Sequence, residues 1–228
     1  MIWTIPNVLT MGRLLAAPAL ALPFMLLDRP VADWVALGIF VCAALTDWLD
    51  GWLARRLGQE SRLGQVLDPI ADKAAVVVAL SVLLALSSLA AGPPLQVAAT
   101  EGRVISARLD PMIAVPIMAI LFREILVSGL REALGPQAKL AVTRLAKIKT
   151  TVQMVAIAVL FAARPVAETL VLSPRPVAYV DYAGFATWYA HLQTLGLVLL
   201  WIAAVLTTIT GWDYAAKALR YIREREEQ

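Results

Sequence analysis

From Lys73 the chain reads KAAVVVALSVLLAL, an apolar run with nothing to offer water. DWVALGIFVCAAL precedes it, and further runs follow. Hydrocarbon leaves backbone N–H and C=O groups without water, so runs of this kind must be helices that satisfy their own hydrogen bonds. Composition agrees: 60% of the 228 residues are hydrophobic, against about 45–50% in a soluble domain. The expected fold class is therefore an all-α membrane protein. The length suits one integral-membrane domain over 1–228, with 1–13 as an interfacial segment and 211–228 as a cytoplasmic tail. A lone cysteine, Cys42, excludes an internal disulfide and is expected to be a small buried residue. The stretch LLAAPALALPFMLL lacks a basic segment before it beyond Arg13, so it is expected to stay as a first membrane helix.

The pattern predicts a bundle of six transmembrane helices over 14–28, 31–54, 66–91, 109–131, 146–172 and 189–210. IPNVLTMGR extends the first as an interfacial helix, and Pro18 and Pro23 can kink it. The segments 92–108 and 173–188 read as loops. With both termini in the cytoplasm, fifteen Lys and Arg fall inside and five outside, accounting for all 20. That bias fixes the orientation. Trp3, Trp34, Trp188 and Trp212 fall near span ends, as interfacial anchors do.

This orientation puts TDWLDGWLARRLGQESRLGQVLDPIAD at the inner membrane face. An ionised carboxylate at a bilayer centre costs about 2.5–3.5 kcal/mol on insertion scales, so four of them need compensation. Asp47 and Asp50 are three apart, and Asp68 and Asp72 four apart, so each pair shares a helix face. A short connection makes the two helices antiparallel neighbours, and the pairs can face one another. Four carboxylates so close cannot all stay ionised unaided. Two divalent cations resolve this, and all-oxygen ligation favours Mg²⁺ or Mn²⁺. Gly51, Ala54 and Gly64 leave room beside them, and Arg55 offers a planar fork suited to phosphate. Carboxylates, metals and arginine together point to phosphoryl chemistry. A purely structural set of Asp–Arg pairs at helix ends is the bland alternative.

The pattern Asp47-x2-Asp50-Gly51-x2-Ala54-Arg55-x8-Gly64-x3-Asp68-x3-Asp72 resembles, position for position, the signature of the CDP-alcohol phosphatidyltransferases. The stretches IPNVLTMGRLL, GQVLDPIADK, FREILVSGLREAL and AKIKTTVQMVAI resemble members of that family whose acceptor is sn-glycerol 3-phosphate. The chain departs from them at Ala146, where glycine is usual, and in a longer 92–108 loop. The resemblance implies transfer of a phosphatidyl group from CDP-diacylglycerol to sn-glycerol 3-phosphate, giving phosphatidylglycerophosphate and CMP. It implies that Asp47, Asp50, Asp68 and Asp72 hold two Mg²⁺ or Mn²⁺ ions and that Asp72 is also the general base. Asp50, Gly51, Ala54, Arg55 and Ser61 would line the CDP-diacylglycerol site, closed by Asn7 and Thr10.

An acceptor bearing a phosphate needs a basic pocket. Arg123 sits inside AILFREILV beside Glu124, where buried charge is a functional position by default. Arg131, Lys147 and Lys149 complete the expected acceptor site, whereas Arg144 is accounted for by the positive-inside bias. His191 is expected to be structural. Other acceptors (phosphatidylglycerol, inositol phosphate or serine) remain alternatives, as does a cation transporter with its aspartates lining an ion path. The resemblance also implies a homodimer among membrane lipids in the bacterial inner membrane, with its site on the cytoplasmic side. No nucleic-acid partner is expected.

Overall fold

The computed structural model describes residues 5–57, 62–90, 109–135, 144–172 and 182–226. All regular structure among them is helical: α1 (Ile5–Ala19), α2 (Pro23–Leu26), α3 (Val31–Leu57), α4 (Arg62–Ala90), α5 (Pro111–Leu134), α6 (Arg144–Leu172) and α7 (Tyr182–Glu226). Four described segments are long and apolar enough to cross a membrane: Val66–Ser87, Pro111–Leu134, Ile148–Val166 and Ala186–Glu224. These correspond to the last four expected spans. α1, with 15 residues, is shorter than a span. α3 has 27 residues and carries Asp33, Asp47 and Asp50.

The first expected span takes a different form. Its helix begins at Ile5, so IPNVLTMGR is part of α1 itself. It ends at Ala19, because Pro23 has no N–H to give the Ala19 carbonyl. The chain tightens there into i→i+3 bonds, from Ala21 N to Pro18 O at 3.2 Å and from Leu22 N to Ala19 O at 3.1 Å. Pro23 then opens α2, where its missing donor costs nothing.

The last span is longer than expected. α7 runs 45 residues, about 68 Å at 1.5 Å per residue. The expected tail from residue 211 is its continuation. WDYAAKALRYIRERE holds no proline or glycine and is rich in helix formers. Lys217 and Asp213 pair across one turn at 2.6 Å.

α5 shows how sequence sets its own ends. Asp110 caps it, accepting from Met112 N at 2.9 Å, with Pro111 in the first turn. Gly135 closes it with φ 66°, a conformation that suits glycine, and its N–H meets the Arg131 carbonyl at 3.2 Å.

The contacts fall into two compact units. One comprises Met1–Leu83 and Ile157–Gly196, the other Leu84–Ala156 and Leu197–Gln228. The first is packed largely through small residues: Ala17, Ala32, Ala36, Ala71, Ala75 and Ala79 are all buried. Small residues let membrane helices approach closely where no water drives them together. Phe40 and Phe161 fill a wider gap, their rings 5.9 Å apart. In the second unit Ile113, Ile117 and Ile120 of α5 and Leu200, Ala203 and Ala204 of α7 are buried. The Trp201 indole donates to the Met112 carbonyl at 3.0 Å. Large apolar side chains such as Met118, Phe122 and Ile125 point outward instead, as lipid-facing residues do.

Cys42 does not follow expectation. It is exposed on α3 beside Val41 and Leu45, because in a bilayer the outward surface is the apolar one. Trp34, Trp188 and Trp212 are exposed, as anchoring residues must be, and His191 is exposed on α7.

Candidate active site

The acidic cluster belongs to the first unit. Asp47 lies in the second half of α3, and Asp68 and Asp72 in the first half of α4. All three meet one cation from another helix. Arg13 of α1 is buried, with 3% of its surface exposed. Its guanidinium pairs with Asp47, reaches Asp72 Oδ1 at 3.1 Å and lies 3.6 Å from Asp68 Oδ1. Thr10, one turn earlier, donates its hydroxyl to Asp68 Oδ1 at 2.7 Å. Asn7, another turn back, is also buried. The signal was present in the sequence: Asn7, Thr10 and Arg13 recur every three residues, so α1 turns one polar face inward.

The three carboxylates are each about half exposed, while the arginine between them is shielded. An α1 helix with a polar inner face, clamped against two acidic helix ends, therefore balances charge inside the apolar chain. Among the described residues no three His, Cys, Asp or Glu side chains stand together closely enough to hold a metal ion. The donor set nevertheless has the chemistry of a hard-cation site. Carboxylates from two helices converge on one positive charge, and every donor is oxygen. Asp50 stands three residues from Asp47 on α3. The side chains of Asp50, Gly51, Ala54, Arg55 and Lys147, and the whole of Ser61, lie outside the described residues.

A second polar centre belongs to the other unit. Arg123 and Glu124 sit halfway along α5, in the middle of an apolar span. Arg123 Nη1 lies 3.3 Å from Glu124 Oε1, and Lys149 of α6 donates to the same carboxylate. Lys149 is buried. α7 makes room for Arg123 at Gly211, where a Cβ would stand 2.8 Å from Arg123 Cγ. Two cations share one anion here, leaving net positive charge in an apolar setting, which suits an anionic ligand. Of the expected acceptor residues the structure thus joins Arg123 and Lys149. Arg131 stays exposed in the last turn of α5.

Paired charge thus stands within largely apolar helices at one acidic and one basic centre. Comparison with known proteins identifies the kind of protein. The family described as CDP-alcohol phosphatidyltransferase matches residues 3–209. A CDP-diacylglycerol–glycerol-3-phosphate 3-phosphatidyltransferase from Cereibacter sphaeroides is 43% identical, covering 98% of this chain and 99% of the relative. One of the same name from Rickettsia felis is 31% identical, over 95% and 96% of the two chains. A cardiolipin synthase (CMP-forming) from Oryza sativa subsp. japonica is 38% identical, over 86% of this chain and 59% of its own. The chain belongs to the CDP-alcohol phosphatidyltransferase family.

Proposed function

We propose that this chain transfers the phosphatidyl group of CDP-diacylglycerol to sn-glycerol 3-phosphate, releasing CMP and supplying phosphatidylglycerophosphate to phospholipid synthesis. The observation that carries this reading is the end-to-end likeness to a relative named for that reaction, at 43% identity. Arg123 and Lys149, gathered on Glu124 within an apolar span, support it, since a phosphate-bearing acceptor needs such a centre.

Asp47, Asp50, Asp68 and Asp72 would hold two Mg²⁺ or Mn²⁺ ions. Bound there, the ions would supply charge neutralisation and a Lewis-acid hold on the phosphoryl oxygens. The chain's own groups do the rest. Gly51, Ala54, Arg55 and Ser61 bind the cytidine diphosphate part, with Asn7 and Thr10 behind them. Arg123 and Lys149, with Lys147 and Arg131, draw in the acceptor phosphate. Asp72 takes the proton of the attacking hydroxyl. A bond forms between that hydroxyl oxygen and the phosphatidyl phosphorus, and the bond to the CMP oxygen breaks. The reading includes six spans with both termini in the cytoplasm, a site at the inner face of the bacterial inner membrane, and a homodimer.

An acceptor panel tests it. Purified protein in mixed micelles with CDP-diacylglycerol is supplied with sn-glycerol 3-phosphate, serine, inositol phosphate or phosphatidylglycerol. CMP release is expected with the first. Release with phosphatidylglycerol and not with glycerol 3-phosphate would move the chain to the second reading, which the Oryza sativa relative favours.

A further inference from the structure

Among the described residues three buried polar atoms in the second unit accept or donate no hydrogen bond: Arg123 Nε, Gln153 Oε1 and Thr207 Oγ1. Gln153 is 2% exposed and Thr207 is 0% exposed. Orphaned polar atoms at this depth are costly and rare in folded proteins, and each asks for an explanation.

Their places on the helices supply one. Trp201 meets Met112 and Gly211 meets Arg123, so α7 runs parallel to α5 with a steady register. Thr207, one turn before Gly211, therefore lies one turn from Arg123 toward the start of α5. Successive spans joined by a short connection run antiparallel, so α6 climbs the other way from its Lys149–Glu124 contact. Gln153, one turn after Lys149, reaches the same level. The two orphans thus sit side by side in depth, one turn from the Arg–Glu–Lys layer. Thr210, by contrast, is satisfied by its own helix at the Leu206 carbonyl, 2.8 Å away.

The chemistry of the three orphans is complementary. Arg123 Nε–H is a donor that asks for an anionic oxygen. Gln153 Oε1 is an acceptor, and Thr207 Oγ1 can do both. A phosphate with a hydroxyl a few atoms away fits that set. We propose that Gln153 and Thr207 bind the non-reacting secondary hydroxyl of the glycerol phosphate acceptor and so set acceptor specificity. This rests on the acceptor reading above and adds two positions that it did not include.

The test compares two acceptors within each preparation of the full-length protein. One is sn-glycerol 3-phosphate. The other is 3-hydroxypropyl phosphate, which keeps the phosphate and a primary hydroxyl and lacks the secondary one. Wild-type kcat/KM is expected to fall about 100-fold or more on the analogue, since a site built around a hydroxyl rejects its absence. Gln153→Leu and Thr207→Val are expected to lower kcat/KM for glycerol 3-phosphate at least about tenfold more than for the analogue. Thr207→Ser restores the discrimination. The ratio of two acceptors does not depend on how much of a variant is folded. If both variants lower the two acceptors equally, or leave the ratio at the wild-type value, the residues are structural and the proposal falls. Arg123→Gln separates the underlying reading, because it should raise KM for both acceptors alike. If it raises neither while Gln153→Leu still shifts the ratio, the phosphate assignment fails and the hydroxyl assignment stands.

Discussion

Arg13 decides how the acidic residues can coexist. It is shielded, and its three carboxylate partners are half exposed. Arg13→Gln leaves those carboxylates facing one another, so the metal-free protein should lose about 1–3 kcal/mol of stability, with the outer half of each pair screened by water. Thermal unfolding with and without Mn²⁺ measures this. The variant is expected to gain more from the ion than the wild type does, since no internal cation competes. Asp72→Asn tests a different role at the same place. Loss of a general base should lower turnover by about 10²–10⁴-fold, with Mn²⁺ and CDP-diacylglycerol still bound. Turnover near the wild-type rate would remove Asp72 from that role. The aspartates were legible in the sequence because their spacing is local, three and four residues on a helix. The spacing of Asn7, Thr10 and Arg13 marks a polar face on α1, but not the partners of Arg13, which are 34, 55 and 59 positions away where no local rule pairs them.

Among the helices, α5 and α7 meet where a side chain is missing. A Cβ at Gly211 would stand 2.8 Å from Arg123 Cγ, too near the stem of the side chain for a flexible tip to absorb. Gly211→Val should therefore cost about 1–3 kcal/mol as overpacking. It should also raise KM for glycerol 3-phosphate more than it lowers kcat, because Arg123 is displaced. Steady-state kinetics on the purified variant checks the split. The expected span 109–131 placed the interior of α5 well, from its apolar run. It misplaced the ends of the first and last spans for opposite reasons. Pro23 acts four residues upstream of itself, where α1 stops. In α7 hydropathy ends near residue 210, but helix propensity does not, so the helix outlasts the apolar run. Cys42 was misjudged because small apolar residues in soluble proteins are usually buried, a habit that lipid does not share.

For the whole molecule the governing constraint is the bilayer. The proposed orientation, with both termini in the cytoplasm, predicts that Arg225→Cys in a Cys42→Ser background reacts with a membrane-impermeant maleimide in inverted vesicles and stays unlabelled in right-side-out ones. Labelling of the opposite pattern would reverse the orientation. Chelation by EDTA should abolish CMP release, and Mg²⁺ or Mn²⁺ should restore it; activity that survives chelation would end the divalent-ion reading. The helical membrane class was legible from the long apolar runs, whose backbone must satisfy its own hydrogen bonds in lipid. The basic centre was legible only in part. Arg123 announced itself as a charge in an apolar run, whereas Gln153 and Thr207 are neutral residues that gain meaning from neighbours on other helices. The position of Arg13 also bears on how the protein is made. Chains emerge from the ribosome N-terminus first. α1 is finished before the helices bearing Asp47, Asp68 and Asp72. The counter-charge for the acidic helices is thus made before they are, and it is carried by the chain itself.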